Sequence, residues 1–424
     1  MTSCNITSNN SSKLFLGNYE LNENFLNVEI QDFDDVSAEN YHVFSPEVNY
    51  QELLISDFKN NIHLYSNSFY RTQTTYGGLA NLSEYRTKFF LKTKCFEDAQ
   101  KLIEEAPQIK AITYYHPILN QILKCPCFNY TFDTEHTNFI INNNSNEKII
   151  LIQSNNIEKL ELGGIYSYSI KNWDHSISIE TENYITIHLQ TPIDCEDLFE
   201  YTNELDIYLN TYCPSKLRSY KTHILTTTNK EYEVTHHLLG KNKYQKKHIQ
   251  TPVKTDFFEF LEKMYKTINF RDAENQNKFS PLDFKKSLSL ENNYLFYFRC
   301  IDLYMGEYLE KQNPTKKYNT FDKLSIFIDK YLNLFNLDDN CDIQYFKNVL
   351  NSLRNQYVHN GYYLSHNEFD VKSKRKTVGR HKLDYIWLYK ITCSLKLGVF
   401  KFLYTNILEL DIEENIFNYC FKKL

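Results

Sequence analysis

The sequence predicts a two-domain α+β protein: a β-rich N-terminal domain, residues 1–245, followed by an all-α helical bundle, residues 254–424. Three observations carry that prediction. Hydrophobic residues alternate with period two through much of the first part and recur at helical spacing in the second. A basic, polar stretch closed by a proline, residues 239–252 (LGKNKYQKKHIQTP), lies where the pattern changes. The charge balance changes sign there too. Residues 251–424 hold 26 Lys and Arg against 22 Asp and Glu, or +4, while residues 1–250 hold 21 against 31, or −10. At 424 residues the chain is long enough for two or three separate cores.

The β signal is clearest at residues 149–152, 166–170, 176–179 and 184–189, runs rich in Ile, Tyr and Thr. Asn- and Asp-bearing turns separate them at 143–146 and 172–174. Helices are read over 96–105 and from Cys195 to about Leu209. After the basic stretch, Asp256 followed by Glu259 makes a capping pair for a helix over 257–268. Tyr294, Phe298, Ile301, Met305 and Tyr308 then trace one helical face; Phe321, Leu324, Ile328, Tyr331 and Phe335 trace another. Ile343, Phe346, Leu350, Leu353 and Tyr357 trace a third, and Ile386, Cys393, Leu397, Phe400, Tyr404 and Ile407 the last.

Several function classes are excluded. Only 10 glycines are present, which argues against Rossmann and P-loop folds, and the sequence holds no GxSxG, Walker A, GxGxxG or HExxH pattern. The N-terminus is polar, with no apolar core of a signal peptide, and the best hydrophobic stretch, 386–404, carries Lys390, Lys396 and Lys401. A cytoplasmic protein with no membrane partner and free thiols is therefore expected. Cys125 and Cys127 with His136 form a poor zinc set, because C-x-C is the wrong spacing and no second pair accompanies it. No metal or other cofactor is expected.

The stretch that carries chemistry is 353–361, Leu-Arg-Asn-Gln-Tyr-Val-His-Asn-Gly. Arg354, Asn355 and His359 form an R-N-x-x-x-H pattern at the end of a helix stopped by Asn360 and Gly361. RNA is cut without a metal when its own 2′-OH attacks the adjacent phosphate. A group titrating near neutrality must move the proton, and a fixed cation must meet the developing charge; His and Arg fit those tasks. Taken alone, His359 is better read as a helix C-cap, where an imidazolium suits the dipole. At about 100° per residue, Arg354 and His359 project ~140° apart with ~7.5 Å of rise, so one straight helix does not easily aim both at one phosphate. About a dozen residues on, Lys372, Lys374, Arg375, Lys376, Arg380 and Lys382 place six positive charges in eleven residues. That run suits sequence-independent contact with a phosphodiester chain, although most charge runs are merely solvated loops.

The R-N-x-x-x-H pattern late in a helical domain of this length resembles the HEPN superfamily, whose signature is an Arg, a polar residue and a His four to six positions on. The closest likeness is to the Apea-like branch, in which a helical C-terminal domain follows a variable, strand-containing N-terminal one. The resemblance covers roughly 254–424. Asn360 departs from the pattern, since many relatives place Gly directly after the His. The resemblance implies an all-α HEPN domain acting as a metal-independent endoribonuclease in bacterial anti-phage defence of the abortive-infection kind. It implies Arg354, Asn355 and His359 as site residues, RNA as substrate with tRNA among the candidates, and a homodimer whose two motifs line one cleft. The N-terminal domain would then restrain the nuclease or sense a phage-derived trigger. Two competitors stand beside this: a non-catalytic HEPN module binding RNA or a partner protein in a toxin–antitoxin-like system, and an antitoxin-type module whose polar motif is a target for modification.

Overall fold

In the computed structural model the chain divides into two units, residues 1–206 with 217–249 and residues 207–216 with 250–424. The structure describes all residues except 1, 9–10, 23–24, 33–50, 77–80, 88, 105–106, 124–127, 134–137, 144–147, 155, 172–175, 237–249, 271, 284–287, 339, 361–367 and 424. Most of the expected linker, the turn residues 144–146 and 172–174, the Cys125, Cys127 and His136 set, and Gly361 lie outside the described residues.

The first unit begins with six strands: β1 (Thr2–Ser8), β2 (Ser11–Asn22), β3 (Phe25–Asp32), β4 (Gln51–Asp57), β5 (Ile62–Tyr76) and β6 (Asn81–Thr87). They pair antiparallel in the order β5-β4-β1-β2-β3-β6, and β6 pairs back onto β5, which closes a barrel. Alternate residues point inward, as the strand period requires. Cys4 and Ile6, Phe15 and Tyr19, Leu26, Val28 and Ile30, and Leu53 and Ile55 form its core. Gly17 shares the inward face of β2, where a Cβ would lie 2.2 Å from the Glu29 carbonyl oxygen and 2.5 Å from Ile6 Cδ1. Only glycine lets these strands approach so closely.

The sheet continues past the barrel. Its further strands are β7 (Phe89–Thr93), β8 (Ile109–Tyr115), β9 (Phe128–Asp133), β10 (Asn138–Asn143) and β11 (Lys148–Ser154). They are followed by β12 (Ile157–Lys171), β13 (Ser176–Ile193), β14 (Lys221–Thr226) and β15 (Glu231–His236). From β5 the order runs β7-β15-β14-β8-β13-β12-β11, while β9 and β10 pair separately. The two short strands expected at 176–179 and 184–189 are one strand, β13. Helices α1 (Phe96–Glu104) and α2 (Leu119–Ile122) belong to this unit, while α3 (Leu198–Tyr212) begins in it and ends among residues 207–216 of the second. The buried Asp206 carboxylate accepts hydrogen bonds from the Ser219 amide at 3.0 Å and hydroxyl at 2.8 Å.

The second unit holds α4 (Phe257–Thr267), α5 (Ala273–Phe279), α6 (Leu290–Gln312), α7 (Thr320–Lys330) and α8 (Ile343–Asn360). Next come strands β16 (Glu368–Ser373) and β17 (Lys376–Lys382), then α9 (Tyr385–Phe402) and α10 (Glu414–Lys423). Asp256 caps α4 by accepting from the Phe258 amide at 2.9 Å. Helix α6 packs against α7, α8 and α9, with Tyr294, Phe298, Ile301 and Met305 buried. Where α9 crosses α7, a Cβ on Gly398 would lie 2.7 Å from Phe327 Cζ.

The predicted fold class is therefore corrected. The chain is not a β-rich domain followed by an all-α HEPN bundle: it has a closed six-stranded barrel with a long sheet extension, and its helical unit contains an antiparallel hairpin. The run read as a basic loop is that hairpin, with Phe369 opposite His381 and Val371 opposite Gly379. Phe369 and Val371 are buried at alternate positions, a period-two signal only a few residues long and masked by the flanking lysines. No helix among the described residues is long and apolar enough to cross a membrane.

Candidate functional site

Helix α8 exists because Phe346, Val349, Leu350, Leu353 and Tyr357 fall on one buried face. Asp342 opens it by accepting from the Tyr345 amide at 3.0 Å. Three further contacts fix it. Lys347 reaches Asp329 of α7 at 2.6 Å. The Tyr294 hydroxyl of α6 donates to the Leu350 carbonyl at 2.7 Å. On another side the Lys372 amide of β16 donates to Ser352 Oγ at 2.8 Å.

Arg354 lies one turn after Leu350. Its Nη1 donates to Asn355 Oδ1 at 2.9 Å, and both side chains are half-buried. Among the described residues no carboxylate pairs with Arg354. Its charge is nevertheless felt inside: burial pushes the Tyr294 phenol well up, Tyr357 adds to this, and Arg354 opposes it. Tyr357 packs against Tyr294 with ring centroids 5.9 Å apart, and its phenol is pushed up to about 12 by burial, with the Glu291 charge adding to the shift. His359 lies in the last turn of α8, two turns beyond Ser352; its side chain is outside the described residues. Between the Arg354 and His359 positions the helix shows Asn351, Asn355 and the 49% exposed Val358.

The hairpin is carried on α8 and α9. Tyr345 donates to the Arg380 carbonyl at 3.0 Å, and His381 sits between Phe369 and Trp387, ring centroids 5.6 and 4.7 Å away. Burial lowers the His381 pKa. Lys372, Lys374, Arg375, Lys376, Arg380 and Lys382 are all exposed, but they are not equivalent. Arg380 pairs with Asp370 at 3.4 Å, and Lys382 stands opposite Glu368 in the register. Lys374, Arg375 and Lys376 occupy the tip with no carboxylate partner among the described residues. Lys374 and Arg375 have φ of 46° and 72°, the left-handed pair of a tight hairpin turn that ordinarily selects Asn-Gly.

Sequence reasoning finds Arg354, Asn355 and His359 but misses what holds them. Tyr294 is visible as a core position, yet nothing in its spacing says that its hydroxyl ties α6 to α8. Among the described residues no group of three or more His, Cys, Asp or Glu could hold a metal ion. No protein-family model, curated protein or solved structure matches the chain.

The hairpin tip gives a direct expectation. Lys374→Asn, Arg375→Gly and Lys376→Gln together should weaken RNA binding for every sequence and leave a well-formed hairpin, since Asn-Gly suits the turn. Filter binding should show the log–log salt slope falling by up to about 0.7 for each single-strand phosphate that the tip no longer neutralises. Arg380→Gln, which removes an already paired charge, should change the slope less. An unaltered slope in the triple variant would make the tip a solvated turn.

Proposed function

We propose that the second unit is a metal-independent endoribonuclease in which Arg354 and His359 act on the phosphodiester and Asn355 orients Arg354. The observation that carries this reading is the state of Arg354: held by a neutral amide at 2.9 Å, on a helix anchored to α6, α7 and β16, with no carboxylate neutralising it among the described residues. An arginine so placed keeps its charge for a ligand anion, and its planar fork matches phosphate oxygens. In the proposed step the 2′-oxygen attacks phosphorus, its proton passes to His359, and the P–O5′ bond breaks as that proton is handed on to the 5′-oxygen. The products are a 2′,3′-cyclic phosphate and a 5′-hydroxyl. Arg354 offsets the charge that develops on the phosphorane oxygens.

The HEPN likeness supports this reading at the motif and not at the level of an all-α domain. It extends the proposal to an RNA-cleaving effector of anti-phage abortive infection, acting in the cytoplasm as a homodimer, with tRNA among the candidate substrates and a phage-derived trigger acting through the first unit. Incubating the purified chain with total cellular RNA in EDTA tests the chemistry. Cleavage should persist and leave 2′,3′-cyclic phosphate ends. Ends bearing 5′-phosphate, or activity only on adding a divalent ion, would overturn it.

A further inference from the structure

Away from the R-N-x-x-x-H motif, the second unit contains a cleft of about 620 Å³ between α6, α9 and the chain around Leu334. Its size is in the range of small-ligand sites. Four lysines line it, Lys216, Lys390, Lys396 and Lys422, against one carboxylate, Asp283. None of the four pairs with a carboxylate among the described residues. Lys396 is the informative one. It is half-buried on α9 and lies close enough to Lys216 to feel its charge. Burial chiefly depresses its pKa; Cys393 opposes the shift and Lys216 adds to it. A desolvated ammonium beside a second cation costs stability unless an anion joins them.

A second observation is independent of charge. Thr392, one turn before Lys396 on the same helix, lines the cleft and is 5% exposed, and its hydroxyl has no hydrogen-bond partner among the described residues. A buried hydroxyl left unmatched is uncommon and points to a missing partner. The walls say what the rest of that partner is. Phe296, Tyr297, Tyr389 and Phe400 present aromatic surface rather than a purely aliphatic tunnel, and Asn293 and Asn336 supply amides. Aromatic faces stack bases irrespective of sequence, amides read base edges, and lysines hold phosphate as point charges.

We infer that this cleft binds a nucleoside phosphate, with the phosphate between Lys396 and Lys216 near the Thr392 hydroxyl and the base against the aromatic wall. The site is separate from Arg354 and His359, so its test is binding, not RNA cleavage. Calorimetric titration of the full-length chain with AMP, GMP, CMP and UMP, each to about 1 mM, with adenosine and inorganic phosphate as partial ligands, decides it. At least one nucleotide should bind saturably, and at least about tenfold more tightly than either partial ligand. Lys396→Met keeps the length of the side chain and removes the charge. It should weaken that nucleotide by about 10- to 100-fold and raise the melting temperature of the ligand-free chain, because an unpaired buried cation is gone. Thr392→Val, nearly the same shape, should weaken binding less. Equal binding by wild type and Lys396→Met would overturn the proposal, as would no saturable nucleotide binding. Phosphate alone matching the nucleotide would reduce the cleft to a plain anion site, and adenosine alone matching it would remove the lysines from the account; either defeats the inference.

Discussion

Replacing either Arg354 or His359 by alanine should lower RNA cleavage by about 10²–10⁴-fold, the usual effect of deleting a general acid–base group or its electrostatic counterpart. The fold should survive both changes. Arg354 is half-buried and, among the described residues, bonded only to its neighbour's amide, and His359 is in the last turn of α8. The helix is held elsewhere, by Tyr294, Asp329 and Ser352. Circular dichroism and melting of the two variants should therefore overlay on wild type. Arg354→Lys separates charge from geometry: it keeps a cation but loses the planar fork, so most of the activity should still disappear. Asn355→Ala removes one hydrogen bond that orients Arg354 and should cost about tenfold or less. Cleavage of a labelled RNA under single-turnover conditions reads all four variants. Full activity in His359→Ala would end the assignment.

How much of the architecture the sequence discloses depends on how local each signal is. β11 buries Ile150 and Ile152 between exposed Ile149, Leu151 and Gln153, in an apolar run long enough to read. The barrel strands also alternate, as in Leu26, Val28 and Ile30, but closure depends on β5 pairing with both β4 and β6. That is a long-range fact stated by no window of sequence. The hairpin is hidden for another reason. Its charges dominate the pattern, and Lys374-Arg375 is the reverse of the Asn-Gly signal that normally announces such a turn. In α9 the expected face included Ile386 and Cys393, which are exposed, while Leu388, Ile391, Leu395 and Phe402 are buried. A helix apolar nearly all round does not tell from spacing alone which side meets the core.

The site divides in the same way. Arg354, Asn355 and His359 are legible because a functional trio at fixed spacing is a local signal. Its support is not, because Tyr294 to Leu350, Lys347 to Asp329 and Lys372 to Ser352 are contacts between elements. Tyr294 and Tyr357 lie on helical faces that the sequence spacing discloses. Both residues are buried and packed on each other inside the unit, so any second copy must use other surface.

That surface bears on the remaining expectation, recovery of activity when two dead chains are mixed. At about 100° and 1.5 Å per residue the Arg354 and His359 positions are ~140° and ~7.5 Å apart, so convergence on one phosphate is easier across a two-fold axis than along one helix. Between them runs a stripe with half-buried Asn351 and Asn355 and exposed Gln344 and Val358. A two-fold contact along this stripe sets α8 against its own copy and offers each Arg354 to the partner's His359. An Arg354→Ala chain mixed with a His359→Ala chain would then form dimers with one intact composite site. Half the dimers in a random mixture are mixed and each has one live site of two, so activity should return to about a quarter of wild type. Each variant alone should stay inactive. Placing Val358→Asp on both chains should abolish the recovery by putting like charges at the centre of the contact. Sedimentation on the same samples completes the test: a wild-type chain that is monomeric at micromolar concentration and still cuts RNA would refute the shared cleft, because a single α8 would then be doing both jobs.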